Sequence, residues 1–505
     1  TLTLIRYIHS NRTGVPTCAT MPDEKRPADS DSVDRVPTLG APAKSPAEEK
    51  TEAPAKTLVG QEGPQVEALL NKMKNAETSA AYQQQLQTLL QRLNLGRSGI
   101  QDLEPRLREH RFWSTQPVPQ LGEEPSQEEG AIKPDLTRDQ LRQEPIPLPQ
   151  GFEWVELALD EEATMKELYE LLTNNYVEDD DAMFRFDYSA DFLTWALKPP
   201  GWKRQWNVGV RVASSGRLVA FISGIPVNLK IRSHVKDTVE INFMCVHKKL
   251  RNKRLAPVLI KEVTRRVNLE GIFQAVYTAG AVLPTPLATC RYYHRSLNPK
   301  KLVETGFSYL PPNWTMTKLV KSCAVPTGAP QAGLRPMTAA DVPGVRQLLN
   351  AFLNRTCQFA QQFSSDEELA HWLLPVDGVI WTYVADKAGE PGVVSDLVSF
   401  YALPSSVINH PTHKTINAAY LFYYATDADA SDEAAFKTHL TQLMESALVF
   451  AKANGFDVFN CLEMAHNRQF IEDLRFKPGD GYLKFYLYNW RCPPVESHEV
   501  GLVML

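Results

Sequence analysis

Residues 239–257 read V-E-I-N-F-M-C-V-H-K-K-L-R-N-K-R-L-A-P. The first eight are mostly β-branched or apolar around a single Asn, which predicts a buried strand. The next eight positions, 247–254, hold six basic or potentially basic side chains: His247, Lys248, Lys249, Arg251, Lys253 and Arg254. Leu255, Val258, Leu259, Glu262, Val263 and Arg266 then carry a helix. Pro257 fits its first turn, because the N–H it lacks is one a helix leaves unpaired anyway. A strand that passes through a basic loop into a helix N-terminus favours a polyanionic phosphate. Free N–H groups, the helix dipole and charge-assisted bonds from Lys253 and Arg254 all act in that direction. A solvated face, a nuclear-import signal and a nucleic-acid patch compete for the same run. The apolar strand directly before it weighs against an import signal, which belongs in flexible chain.

Composition bounds the rest. At 505 residues and 43% hydrophobic the chain can bury two or more domain cores. A formal net charge of -5 argues against a general nucleic-acid binder. Seven cysteines at 18, 245, 290, 323, 357, 461 and 492 show no C-x-x-C spacing, which suits a reducing compartment without disulfide framework or zinc site. No apolar run is long enough to span a bilayer, and T-L-T-L-I-R-Y-I-H-S at the start has too short an apolar core for a secretory signal. A soluble, cytoplasmic protein is expected. The first residue is not Met, so the start of translation lies open.

Residues 1–100 divide at about Gly63. Before it Pro, Ala, Ser, Glu and Lys dominate, which predicts disorder. Residues 64–95 have helical period but many Gln and Lys, the pattern of a marginal helix in a docking or regulatory arm. Residues 101–151 read as strap and connector. Within them H-R-F-W-S-T-Q-P-V-P-Q-L, residues 110–121, is aromatic with two prolines and should lie extended across something else, either packed on the core or strapped over a ligand.

The body, from Phe152, reads as two related halves, 152–325 and 326–505. Residues 154–172 and 333–350 each read as a short strand, a capped turn and an amphipathic helix. Later, Gly271 and Gly455 each precede a strand, 274–278 and 458–462, with a further helix reaching 307 and 476. This is an internal duplication of an α/β unit.

The unit resembles the GNAT acyltransferase fold, in which acyl-CoA lies along a strand whose following loop and helix hold the pyrophosphate. The expected class is therefore a mixed α/β, tandem duplicated GNAT-like fold with pseudo-twofold symmetry. In the second half the corresponding strand, 418–425, runs into T-D-A-D-A-S-D-E, which repels phosphate. Only the first half should bind CoA, which leaves the second for an acceptor.

The match extends beyond the fold. N-Y-V-E-D-D-D-A-M-F-R-F-D-Y-S, K-P-P-G-W, C-R-Y-Y-H-R-S-L-N-P-K-K-L, N-H-P-T-H-K, G-D-G-Y-L-K-F-Y-L-Y-N-W and the terminal G-L-V-M-L join the opening stretch in the same order over residues 152–505. Together they resemble the glycylpeptide N-tetradecanoyltransferase (N-myristoyltransferase) family, its fungal form in particular. The resemblance implies transfer of a tetradecanoyl group from myristoyl-CoA to the α-amino group of an N-terminal glycine, with no prosthetic group. It assigns the oxyanion hole to the backbone N–H groups of Phe243 and Met244, where Met in place of the family's usual Leu is harmless to a backbone donor. It assigns the base to the terminal carboxylate, here Leu505. An apolar V-G-L-V-M-L end buries that group and raises its proton affinity from roughly 3.5; a plain final strand would bury the same residues. Cys245, beside the hole, invites reading as a nucleophile. Direct attack makes it unnecessary, and a buried strand thiol is usually inert.

The CoA contacts carried over are His110, Arg111, Phe112 and Trp113 in the strap, Phe243, Met244, Cys245 and Val246 in the strand, and Arg251, Asn252, Lys253, Arg254, Leu255, Ala256 and Pro257 after it. Asn252 stands where Ser is common in the family. For the peptide, Tyr176, Val177, Glu178, Asp179 and Asp180 come first; four consecutive carboxylates, 178–181, would attract the basic residues the family prefers a few positions after the glycine. Phe184, Phe186 and Tyr188 alternate on one strand face, lining the groove or filling the core. Asn242, Thr278, Gly280, Tyr292, His294, Ser405, Tyr420, Asp480 and Gly481 fall at further acceptor positions. His410 and His413 have no third ligand at metal spacing, so no metal is expected. The implied partners are N-terminal-glycine peptides, with the arm at 1–100 as the place for a ribosome contact; no nucleic acid, no membrane insertion and a monomer are expected. A GNAT acetyltransferase and a non-catalytic acyl-CoA or peptide-binding module are the alternatives.

Overall fold

The computed structural model describes residues 112–120, 123, 126–177 and 183–505. The helix-patterned arm at 64–95 lies outside them. The first half contributes β1 (Phe152–Glu156), α1 (Glu162–Asn175), β2 (Phe184–Phe186), α2 (Ala190–Leu197), β3 (Asn207–Val212), β4 (Leu218–Ile231), β5 (His234–Val246), α3 (Leu255–Asn268), β6 (Ala275–Ala279), β7 (Ala288–Ser296) and α4 (Pro299–Glu304). After α5 (Met316–Ser322) the second half contributes β8 (Arg335–Pro336), α6 (Val342–Thr356), β9 (Phe359–Gln361), α7 (Asp366–Leu373), β10 (Ile380–Lys387), β11 (Glu390–Ala402), β12 (Ser405–Val407), β13 (Thr415–Ile416) and β14 (Ala418–Thr426). It closes with α8 (Glu433–Ala453), β15 (Val458–Leu462), α9 (Arg468–Ile471), β16 (Lys477–Tyr488) and β17 (Val500–Gly501).

One sheet runs β1-β3-β4-β5-β6-β16-β7-β15-β14-β11-β10-β8. Read from either end, it gives the same order of antiparallel strands followed by one parallel pair, β5–β6 in the first half and β14–β15 in the second. This is the expected mixed α/β duplication, with one feature absent from the sequence reading. Each half gives one strand to the other: β16 pairs with β6, β7 pairs with β15, and the exchanged strands pair antiparallel at the centre. The pseudo-twofold axis passes between them. A smaller sheet, β13-β12-β2, stands apart. β9 pairs with β4 and with β17, and so carries the last residues of the chain to the middle of the first half.

Packing follows from the pleat, since successive side chains of β4 point to opposite faces. Ala220 and Ile222 meet Leu255, Leu259 and Val263 of α3, while Phe221 meets the core of Leu168, Leu171 and Leu172 of α1. Each such side chain, taken out of water, contributes about 1.5–3 kcal/mol.

The side chains of the two N-caps that open the halves, Glu161 and Asp341, bond no helix N–H and differ in what they hold instead. Thr338 Oγ1 and N–H both donate to Asp341 Oδ2 at 2.8 Å, and Arg335 grips the same carboxylate at 2.7 and 2.8 Å. In the first half the N-cap is Glu161, whose side chain accepts no backbone N–H. Its longer stem reaches the Thr164 hydroxyl instead, at 3.2 Å. The Arg335 guanidinium holds the Asp341 carboxyl down at about 2 from an ordinary 3.8. A folded pKa below the unfolded one gives stability that is present above pH 3.8 and lost as pH falls through 2. Asp341→Ala should therefore lower stability at pH 7 by about 1–2 kcal/mol, the scale of a lost cap or charge-assisted bond. In urea titrations the gap to the parent should narrow between pH 4 and pH 2; a gap independent of pH would contradict the assignment.

Candidate active site

The ladder of β5 on β4 carries an extra residue. Asn242 stands opposite Ser223 and Cys245 opposite Phe221, so Phe243 and Met244 together face Ile222. This β-bulge turns Phe243 to φ 52°, a left-handed conformation an aromatic residue adopts only where packing enforces it. The Phe243 ring supplies that packing, buried against Tyr188 at 5.4 Å and Tyr176 at 6.0 Å. β5 follows β6 in parallel only from Val239 to Ile241, paired with Ala275 to Tyr277. From there, just before the bulge, the two diverge, and beside them lies a cavity of about 810 Å³, walled by Val239, Ile241, Ile260, Val263 and Val267 and reached by Asn242, Phe243, Met244 and Thr278. Trp113 of the strap closes one side, stacked on Tyr277 at 5.3 Å, which stacks in turn on Tyr486 at 5.2 Å. Phe112 leans edge-on against Trp113.

At the other end of the bulge the chain makes its basic turn. A 3-10 turn over Lys248–Lys253 follows Val246, and Arg254 takes φ 56° to start α3. Arg251 donates to the Asn175 carbonyl at 2.8 Å. Asn252, Lys253 and Arg254 are exposed, Leu255 and Ala256 buried, and Pro257 is the third helical residue. Burial, then Arg217, Lys249, Arg251 and Lys248, hold the His247 imidazole below its ordinary value, a sign of the positive field at this turn.

A second cavity of about 1130 Å³ opens where β2 faces the central strands. It gathers Val177, Phe184, Phe186, Gly280, Tyr292, His294, Ser405, Tyr420 and Gly481, nine of the residues singled out from the sequence. Tyr176, Asn242 and Thr278 line the first cavity instead. Tyr188 is not brought into the second: β2 ends at Phe186, the alternation stops there, and the Tyr188 ring turns under Phe243 as core. Asp480 is exposed and near enough to favour the charged form of His294, although burial wins and holds that imidazole below its ordinary value. Phe307, Asn460 and Tyr482 also line it; sequence reasoning passed over Asn460 and Tyr482 because β15 and β16 meet β7 only through the strand exchange. His110, Arg111, Glu178, Asp179 and Asp180 lie outside the described residues. His410 and His413 stack 5.2 Å apart on the Glu304 side of α4, away from both cavities.

The end of the chain arrives from behind. Beyond β17, Leu502 and Met504 are buried, and Val503 N–H donates to Tyr423 Oη at 3.2 Å while that hydroxyl donates to Gln361 Oε1 at 2.8 Å. Asn242 Nδ2 then donates to the Leu505 carboxyl-terminal oxygen at 2.5 Å, and Asn242 Oδ1 accepts the Phe243 N–H at 2.9 Å. One amide thus joins the last residue to the bulge.

The second half repeats the bulge and closes it. Phe422 and Tyr423 face Ser399, whose Oγ accepts the Tyr423 N–H at 3.0 Å and donates to the Tyr423 carbonyl at 2.7 Å. Ile222, at the matching place, can do neither. The loop after β14 is acidic as expected, and Asp432 caps α8 by accepting from Ala435 N–H at 3.0 Å, so that helix end already holds a carboxylate.

Burial pushes the Cys245 thiol up to about 12. In the native protein at pH 8, iodoacetamide should label half-exposed Cys323 and leave Cys245 unmodified by mass spectrometry. Rapid labelling of Cys245 would contradict an inert role.

Comparison with known proteins meets this geometry. Residues 131–290 match the family model for the myristoyl-CoA:protein N-myristoyltransferase N-terminal domain, and residues 304–503 match that for its C-terminal domain. Glycylpeptide N-tetradecanoyltransferase 2 of Bos taurus is 54% identical over 396 residues, 78% of this chain and 76% of the relative. The Drosophila melanogaster glycylpeptide N-tetradecanoyltransferase is 51% identical over 394 residues, 78% of this chain and 80% of the relative. A crystal structure of the Saccharomyces cerevisiae N-myristoyltransferase with bound myristoyl-CoA superposes with TM-score 0.75 at 43% identity, covering 78% of this chain and 95% of that one. These identities do not single out the fungal form. The chain belongs to the myristoyl-CoA:protein N-myristoyltransferase family.

Proposed function

We propose that the protein transfers the tetradecanoyl group of myristoyl-CoA to the α-amino group of an N-terminal glycine, by direct attack with both substrates bound. The observation that carries this reading is a convergence. The mouth of an apolar cavity, a strained bulge with two main-chain donors and the last residue of the chain all meet at Asn242.

In this reading the acyl chain fills the cavity between β5, β6 and α3. The CoA diphosphate lies on Arg251, Asn252, Lys253, Arg254 and the first N–H groups of α3, with the strap around Trp113 laid over it. The peptide takes the second cavity. Val177 and Phe184, on either side of the acidic run at 178–181, both line that cavity, which supports a preference for Lys or Arg a few residues into the substrate. Among the described residues no helix is long and apolar enough to cross a membrane; we place the reaction in the cytoplasm, on nascent chains met by a monomer.

The glycine ammonium gives one proton to the Leu505 carboxylate. Its nitrogen then attacks the thioester carbonyl carbon, and as the C–N bond forms the carbonyl oxygen takes negative charge. The N–H groups of Phe243 and Met244 stabilise that charge, the first released for the purpose by Asn242 Oδ1; each such donor lowers the barrier by about 3–4 kcal/mol. Collapse breaks the C–S bond, and the sulfur leaves with the surplus proton on nitrogen as CoA thiol.

Mass spectrometry of a glycine-initiated peptide incubated with the protein and tetradecanoyl-CoA should show the acylated peptide; no product would overturn the reading. Each methylene removed from water is worth about 0.8 kcal/mol, so decanoyl-CoA, four methylenes shorter, should bind roughly two-hundredfold more weakly. Equal affinity would favour a short-chain acyltransferase. One glycine added after Leu505 should lower kcat by about 10²–10³, the usual share of a general base, while myristoyl-CoA binding persists. An unchanged kcat would remove Leu505 from the mechanism.

A further inference from the structure

Two residues before Asn242, on the same face of β5, stands a carboxyl group that the reaction described above does not use. Glu240 is 7% exposed and Asn242 is 9% exposed. Asn242 Nδ2 donates to Glu240 Oε1 at 3.3 Å and to the Leu505 oxygen at 2.5 Å, while Oδ1 holds the Phe243 N–H. A primary amide has two N–H bonds, and here each goes to a different carboxyl group. The strands on either side of β5 put Ile225 and Val276 across from Glu240. The titratable groups that feel its charge are Tyr401 of β11 and Tyr423 of β14, and the Leu505 terminus shares the Asn242 amide with it. Among the described residues Glu240 forms no ion pair with Lys, Arg or His. A buried carboxylate without a cation, beside a second carboxylate, sheds its charge by keeping its proton.

We propose that Glu240 is a positioning residue that works as the neutral acid: it steadies Asn242 between the bulge and Leu505, and leaves the site a single negative charge, the one at Leu505. The proposal rests on Leu505 being the base. Burial pushes the Glu240 carboxyl up to about 8, so the neutral form prevails at physiological pH and gives way just above it. Attack builds negative charge on the thioester oxygen, at donors two and three residues further along the same strand. An ionised Glu240 opposes that charge through an interior that screens poorly. Ionisation therefore slows turnover, although it leaves the Leu505 carboxylate in place.

The test is the single-turnover rate of the preformed myristoyl-CoA complex with a glycine peptide, from pH 6.5 to 9.5, for the parent, Glu240→Gln and Glu240→Asp. The parent rate should fall roughly tenfold or more above pH 8, the effect of a like charge at close range in a medium of intermediate dielectric. Glu240→Gln cannot ionise and should lose that fall, whereas Glu240→Asp should keep it. An identical fall in the parent and Glu240→Gln would overturn the proposal. If Glu240→Gln does not fold, carbon-13 NMR of the parent protein labelled at the Glu carboxyl carbons decides. One Glu carboxyl should titrate near pH 8, and titration of all of them below about pH 6 would overturn it. The two readings fail separately. A glycine-extended chain that turns over normally removes Leu505 as base, whatever the titration shows. An alkaline fall untouched by Glu240→Gln removes only Glu240.

Discussion

The structure depends on one strained residue in one strand. Phe243 at φ 52° is the price of a bulge that turns two main-chain N–H groups out of the β4–β5 ladder. Tyr176, Tyr188 and the core behind them hold it there. Beside the same irregularity β5 parts from β6 and the apolar cavity lies, and Asn242 stands where the end of the chain reaches it. Cavity, donors and the carboxyl terminus thus meet at a single local geometry. Relief of the strain by a regular ladder would withdraw the donors.

The duplication shows how the constraint was divided. Both halves have the parallel strand pair, the divergence after three paired residues and the bulge. In the first half Ile222 can bond neither bulge N–H, the side chain of Asn242 takes that of Phe243, and a basic turn follows. In the second, Ser399 satisfies the Tyr423 N–H, carboxylates occupy the helix end, and Tyr423 holds the C-terminal segment at Val503. The space equivalent to the first cavity, about 570 Å³, is lined partly by Gly501, Val503 and Met504 of the chain itself. One copy therefore keeps an open apolar cavity beside a basic turn, while the other has become the mount for the terminal residue. The strand exchange of β7 and β16 locks the two together, and the second cavity lies at their junction.

Much of this is legible in the sequence, for physical reasons. The abrupt change from apolar to basic at His247 marks strand, turn and helix, and the recurrence of strand, turn and helix marks the duplication. Nine of the positions expected to meet an acceptor line one cavity, most of them on strands of fixed pleat. Other features leave no local trace. A left-handed φ at Phe243 is imposed by packing, not by the residue's own preference. Residues 288–296, A-T-C-R-Y-Y-H-R-S, alternate only over their first four positions, because Tyr292 and His294 line the second cavity in the same part of the strand that pairs with β15 of the other half. Tyr188 reads as the next step of an alternating strand, but the strand has already ended. Glu240 reads as an ordinary polar residue of β5; only the arrival of Leu505 at Asn242, from the far end of the chain, gives it a neighbour that matters.

The central claim is that the bulge at Phe243 and Met244 receives the reacting oxygen. A crystal structure of the protein with a glycine peptide and a ketone analogue of myristoyl-CoA, in which a methylene separates sulfur from carbonyl and blocks transfer, tests it most directly. The account predicts the ketone oxygen about 3 Å from both N–H groups, with the Asn242 amide turned off Phe243. A ketone oxygen elsewhere, with Asn242 still bonded to the Phe243 N–H, would contradict it.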